Sequence, residues 1–130
     1  MSPPASQGHD GPEERRSRRV PVDLAAGLAG RSPRPARVLD ASLKGCLVRC
    51  EVPLDVGAVV DLRIELPDGP LRAKMRVAES SLDGSSLPGP TLHYLAGLEF
   101  LRLAAGDELR LRSFLEAERK RRPGAGQAPP

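Results

Sequence analysis

Four arginines within five residues, Arg15-Arg16-Ser17-Arg18-Arg19, and a polar stretch, Asp40-Ala41-Ser42-Leu43-Lys44-Gly45, are where residue type and spacing point to chemistry. Guanidinium forks bind phosphate oxygens bidentately and stack on base planes. Such a run is an anion clamp, or else a solvated basic stretch at a flexible amino terminus. In the second segment Asp40 can accept from the N–H groups of a guanine edge. Ser42 adds a hydroxyl that donates and accepts, and Gly45 lets a backbone approach closely or adopt φ > 0. The same three residue types also make an ordinary turn between strands.

Other chemistry is thin. Cys46 and Cys50 lie four apart in a stretch that reads as strand, beyond bridging reach, so packing is the expected role. His9 and His93 are too few and too separated for a zinc site, and no metal is expected. No histidine accompanies Asp40 and Ser42 as a base, and no phosphate-cradling glycine loop is present, which argues against an enzyme.

The charge balance of +3 over 130 residues is a matter of location. Arg119, Lys120, Arg121 and Arg122 concentrate basic charge at the carboxy terminus, while the body between the arms is slightly acidic. Aromatics are Phe100, Phe114 and Tyr94 only, with no Trp, so a stacking platform for nucleic acid is missing. No run approaches the roughly 20 apolar residues of a membrane span, and no signal-peptide core precedes the basic run. A cytoplasmic protein without membrane insertion or specific nucleic-acid binding is expected.

The elements that must position these residues are mostly strands. Residues 1–14 carry no periodic apolar face and are expected to be disordered. Val20, Val22 and Leu24 alternate as a first strand, with Pro21 marking an edge. Gly27, Gly30, Ser32 and Pro33 are expected to close it. Further strands are expected over 35–40 and 46–51, with the polar turn between them. Residues 58–79 read as a hairpin around Pro67-Asp68-Gly69-Pro70, with positions 60, 62, 64 and 66 on one face. Residues 80–91 read as a loop. Leu92 to Leu103, His93 included, reads as one strand or as two broken near Gly97. A short amphipathic helix is expected over 107–120, with Leu111, Phe114 and Leu115 on its stripe, Leu109 at the margin and Pro123 ending it. The fold class is all-β: a small six-stranded antiparallel barrel with a carboxy-terminal helix.

In this order and spacing the two polar segments resemble the RxxxR and [D/N]xSxxG motifs of the PilZ domain, a bacterial receptor module for cyclic di-GMP. The resemblance continues through Gly45-Cys46-Leu47-Val48-Arg49-Cys50, the hairpin, and Tyr94-Leu95-Ala96-Gly97-Leu98-Glu99-Phe100, and covers roughly 15–116. It implies that Arg15 and Arg19 bind the phosphates and guanines of the ligand, that Asp40 and Ser42 recognise a guanine, and that Gly45 completes the motif. Arg16 and Arg18 are possible additional ligand contacts. Many members carry another arginine immediately before the first motif arginine, where this chain has Glu14, a charge that repels an anion.

The expectation is a receptor without catalysis, folded over 15–118 between two tails. The arm clamps cyclic di-GMP against the turn and so changes a contact with a protein effector, as monomer or homodimer. Two rivals use the same features differently. One is a PilZ-like interaction module with weak or no nucleotide binding; the other is a weak nucleic-acid binder using the basic tails.

Overall fold

Alternation of branched aliphatic with charged side chains sets the strands, because successive residues of a strand face opposite sides. The computed structural model describes residues 18–29, 34–84, 89 and 91–121. Six strands, β1 (Val20–Leu28), β2 (Arg34–Ala41), β3 (Gly45–Cys50), β4 (Val59–Leu66), β5 (Gly69–Leu82) and β6 (Tyr94–Arg102), precede a helix, α1 (Ala105–Arg121). They form a closed barrel in the order β1-β2-β3-β6-β5-β4, with every neighbouring pair antiparallel. This is the all-β barrel with a terminal helix that the alternation predicts.

Val38, Val48, Leu62, Ile64, Leu71, Met75 and Val77 fill the interior, and Cys46 and Cys50 join them as free thiols. The core is aliphatic, as the shortage of aromatics requires; Phe100 and Phe114 pack only at its margin. The outward positions of β4 and β5 include Asp61, Arg63, Glu65, Arg72, Lys74 and Arg76, all exposed.

Several boundaries differ from those read in the sequence. β1 does not close at Gly27 but runs to Leu28, and its last three residues pair with β2 on one side and β4 on the other. That seam, Ala26↔Ile64, Gly27↔Arg63 and Leu28↔Leu62, is what shuts the barrel. Pro21 fits its edge role, since it lies in the part of β1 that pairs with β2 and not with β4. The expected loop over 80–91 loses its first three residues to β5, where Ser80, Ser81 and Leu82 pair with Ala96, Leu95 and Tyr94. Backbone pairing with β6 holds this polar stretch extended, and polar composition alone does not disclose that. β6 is a single strand unbroken at Gly97, and His93 falls just before it. Gly30, Ser32, Pro33 and Pro123 lie outside the described residues.

α1 begins two residues earlier than its stripe suggests and ends at Arg121, so Arg119, Lys120 and Arg121 form its last turn rather than a tail. Acids in the first turn and bases in the last complement the helix dipole. Leu111, Leu115 and Glu118 make its buried stripe, while Leu109 stays exposed.

The helix is fastened to the barrel by a residue that periodicity did not single out. Arg110 grips both carboxylate oxygens of Asp68 at 2.8 and 3.2 Å, and donates to the carbonyls of Gly69 at 2.7 Å and Pro70 at 3.2 Å. These bonds hold the Asp68 carboxyl below its ordinary pKa. Arg110→Ala should leave the barrel intact, lower its melting temperature slightly and speed amide exchange in the first turns of α1; exchange by mass spectrometry checks this.

Candidate functional site

β1 and β2 bring the two polar segments together. Arg19 sits at the entry to β1, where Val20 pairs with Ala41 and Pro21 with Asp40. Its Nη1 lies 2.6 Å from Asp40 Oδ1, an ion pair spanning 21 positions of sequence. The side chains are 52% and 25% exposed, so the pair contributes no more than about 1 kcal/mol to folding.

The outward aim of Asp40 depends on an irregularity in β2. Val38 pairs with Val48, but Asp40 pairs with Leu47 and Ala41 with Cys46, so Leu39 is an extra residue absorbed as a bulge. In a regular ladder Leu39 would take the place opposite Leu47 and Asp40 would face Cys46 inside the barrel. The bulge keeps Val38 and Ala41 in the core and puts the carboxylate on the surface.

Ser42 and Gly45 serve the turn that follows. Ser42 is only 2% exposed, and its Oγ accepts the backbone N–H of Lys44 at 3.0 Å and of Gly45 at 3.3 Å. Its own N–H donates to the Gly45 carbonyl at 2.8 Å. Gly45 is required for close approach rather than for positive φ, which is confined to Gly57, Gly69 and Gly89 among the described residues. A methyl on Gly45 would overlap the Leu98 carbonyl oxygen across the β3–β6 ladder. Arg18 is exposed beside Arg19; Arg15, Arg16 and Glu14 lie outside the described residues.

Beneath the turn, burial and the charge of Asp40 push the Cys46 thiol up to about 12, with Arg19 opposing. The folded protein therefore holds this proton more tightly than the unfolded chain. Stability is full below the ordinary value of 9.0 and falls as pH rises toward 12. The slope from this thiol is up to about 1.4 kcal/mol per pH unit. Denaturant titrations between pH 8 and 10 should show it in the native sequence and not in Cys46→Ala.

Outward from Asp40 a rung runs across the barrel through Leu47, Gly97 and Glu79. The neighbouring outward rung carries Arg37 and Arg49 directly opposite one another, with Arg37 bonded to Asp23. Sequence reading passed over Arg37 and Arg49. Extending the alternation of β2 and β3 to their polar faces would have found them.

The PilZ domain family model matches residues 13–117. The chain belongs to the PilZ domain family. As a PilZ domain it is a non-catalytic receptor and adaptor module, and no group of three metal-ligating side chains occurs among its described residues. Solved structures share the fold. The PilZ domain of Escherichia coli YcgR with c-di-GMP superposes with a TM-score of 0.67 at 19% identity, covering 88% of this chain and 98% of that one. The Bacillus subtilis inhibitor of motility, MotI/DgrA, gives 0.65 at 19% identity, covering 82% of this chain and 50% of that one. Klebsiella pneumoniae MrkH in its apo state gives 0.65 at 19% identity, covering 86% and 54%. The PilZ chain thus spans about half the length of the latter two proteins. Comparison with curated proteins by sequence finds no match. No helix among the described residues is long and apolar enough to cross a membrane.

Proposed function

We propose that this PilZ domain is a cytoplasmic cyclic di-GMP receptor that relays occupancy to a protein partner. The observation that carries the reading is the Arg19–Asp40 ion pair, which joins the two motifs on the barrel exterior. Membership of the PilZ family and the fold shared with a domain solved with c-di-GMP support it. Arg15 and Arg19 take the phosphates and stack on guanine, with Arg16 and Arg18 adding positive charge. Asp40 accepts from the guanine edge once Arg19 turns from it to the ligand. Ser42 and Gly45 contribute by fixing the turn beneath Asp40. Arg37 and Arg49 extend the cationic face beside it. The folded unit runs through α1 to Arg121, three residues beyond the expected boundary at 118.

The ligand breaks one half-exposed ion pair, a cost of no more than about 1 kcal/mol, and gains charge-assisted bonds worth more. Titration calorimetry with cyclic di-GMP tests the proposal: saturable heat at micromolar concentration is expected. A flat titration of folded protein rejects it and leaves the interaction-module reading. The stoichiometry reports whether Glu14, placed where many members have arginine, prevents a second dinucleotide from stacking.

A further inference from the structure

The outer face of β4, β5 and β6 carries a pattern that folding alone disfavours. Arg63 stands directly opposite Arg72, and Lys74 directly opposite Arg102. Like charges opposed across neighbouring strands destabilise a sheet, and here two such pairs lie next to each other. Two of the cations are neutralised locally: Arg63 reaches Glu65 at 2.7 Å and Lys74 reaches Asp61 at 3.1 Å. Arg72 and Arg102 are exposed and have no ion-pair partner among the described residues.

All four border a concavity of about 700 Å³ whose wall between them is small or apolar, from Gly27, Leu28, Ala29, Ala73 and Ala104. It lies on the far side of the barrel from Asp40, since β5 is three strands from β2 in either direction around the closed order.

We propose that this face docks an acidic protein segment, with Arg72 and Arg102 receiving its carboxylates and an apolar side chain entering the concavity. Guanidinium forks match carboxylates bidentately, and arginine beside an apolar pocket is the composition of an interface anchor. Nucleic acid fits less well. Asp61, Glu65 and Asp107 interrupt the cations, and a phosphate backbone would meet them repeatedly. No aromatic lines the wall for a base to stack on. The site does not rest on the cyclic di-GMP reading, and an occupant here leaves Arg19 and Asp40 accessible.

The test is fluorescence anisotropy of the full chain with a short labelled peptide of repeated Glu-Asp-Leu at low salt. Saturable binding is expected, weakened at least about tenfold by the double variant Arg72→Glu, Arg102→Glu. The neutral double variant Arg72→Gln, Arg102→Gln should show the same direction of loss, and Arg19→Ala should show none. The glutamate variant places opposite charges across from Arg63 and Lys74, so it should melt no lower than the native sequence, separating lost binding from lost fold. A peptide that fails to saturate overturns the proposal, as does binding by both double variants that is as tight as that of the native sequence. So does a short DNA duplex that binds more tightly than the peptide and loses affinity in the same variants.

Discussion

Gly45→Ala is expected to destabilise the barrel by about 3 kcal/mol or more, the upper end of what an overpacked methyl costs. The added carbon would overlap the Leu98 carbonyl oxygen and lie 3.0 Å from Leu98 C and 3.1 Å from Glu99 Cα. A flexible side chain could swing aside, but these are backbone atoms in the ladder pairing Gly45–Cys50 with Tyr94–Glu99. Relief means moving β3 away from β6 at the point where the Ser42 turn ends. Denaturant unfolding measures the loss. Gly27→Ala is the control, because its nearest atom is the Arg34 carbonyl oxygen at 3.8 Å, ordinary contact. A Gly45→Ala protein as stable as that control would show that the strands can part freely, and the account of this glycine would be wrong. Any binding defect in Gly45→Ala follows from a displaced turn, not from a lost ligand contact.

Arg19→Ala should behave in the opposite way, losing binding and keeping stability. Truncating one partner of a charged contact to a ligand costs about 2 kcal/mol or more, roughly thirtyfold in affinity. The same truncation removes only a half-exposed ion pair from the free protein, so unfolding should change by no more than about 1 kcal/mol. Asp40→Asn separates the partners. It frees Arg19 from its resting contact while removing the acceptor for guanine N–H groups, so affinity should fall and discrimination between guanine and adenine dinucleotides should relax. Calorimetry beside thermal melting checks both variants. An Arg19→Ala protein that binds cyclic di-GMP as tightly as the native one would place the clamp elsewhere.

Much of the fold was legible because its strands follow a simple rule. Positions 62, 64 and 66 of β4 and 71, 73, 75 and 77 of β5 alternate without interruption and are buried as alternation requires. Legibility failed where backbone pairing, not side-chain pattern, fixes the chain. Ser80 and Ser81 are strand because β6 lies beside them, and Gly27 is strand because β4 and β2 hold it from both sides. The site was readable as residue types but not as roles. Asp40 and Ser42 look alike as polar turn residues, yet one is half-buried at the surface and the other spends its hydroxyl on its own turn. The bulge at Leu39 that turns Asp40 outward leaves no mark in composition, because it is a count of residues between two pairing partners.

The seam between β1 and β4 has a consequence for how the molecule comes apart. β1 pairs with β2 at seven positions from Val20 to Leu28, but with β4 at only three, all at its far end. Local opening starts where the fewest bonds must break together. The first half of β1, with Arg19 at its head, is therefore the segment most easily peeled from the wall. A ligand spanning Arg19 and Asp40 would stitch that loose strand to β2 at the point where peeling begins. The anchored arm would then turn nucleotide occupancy into resistance of the whole barrel to unzipping.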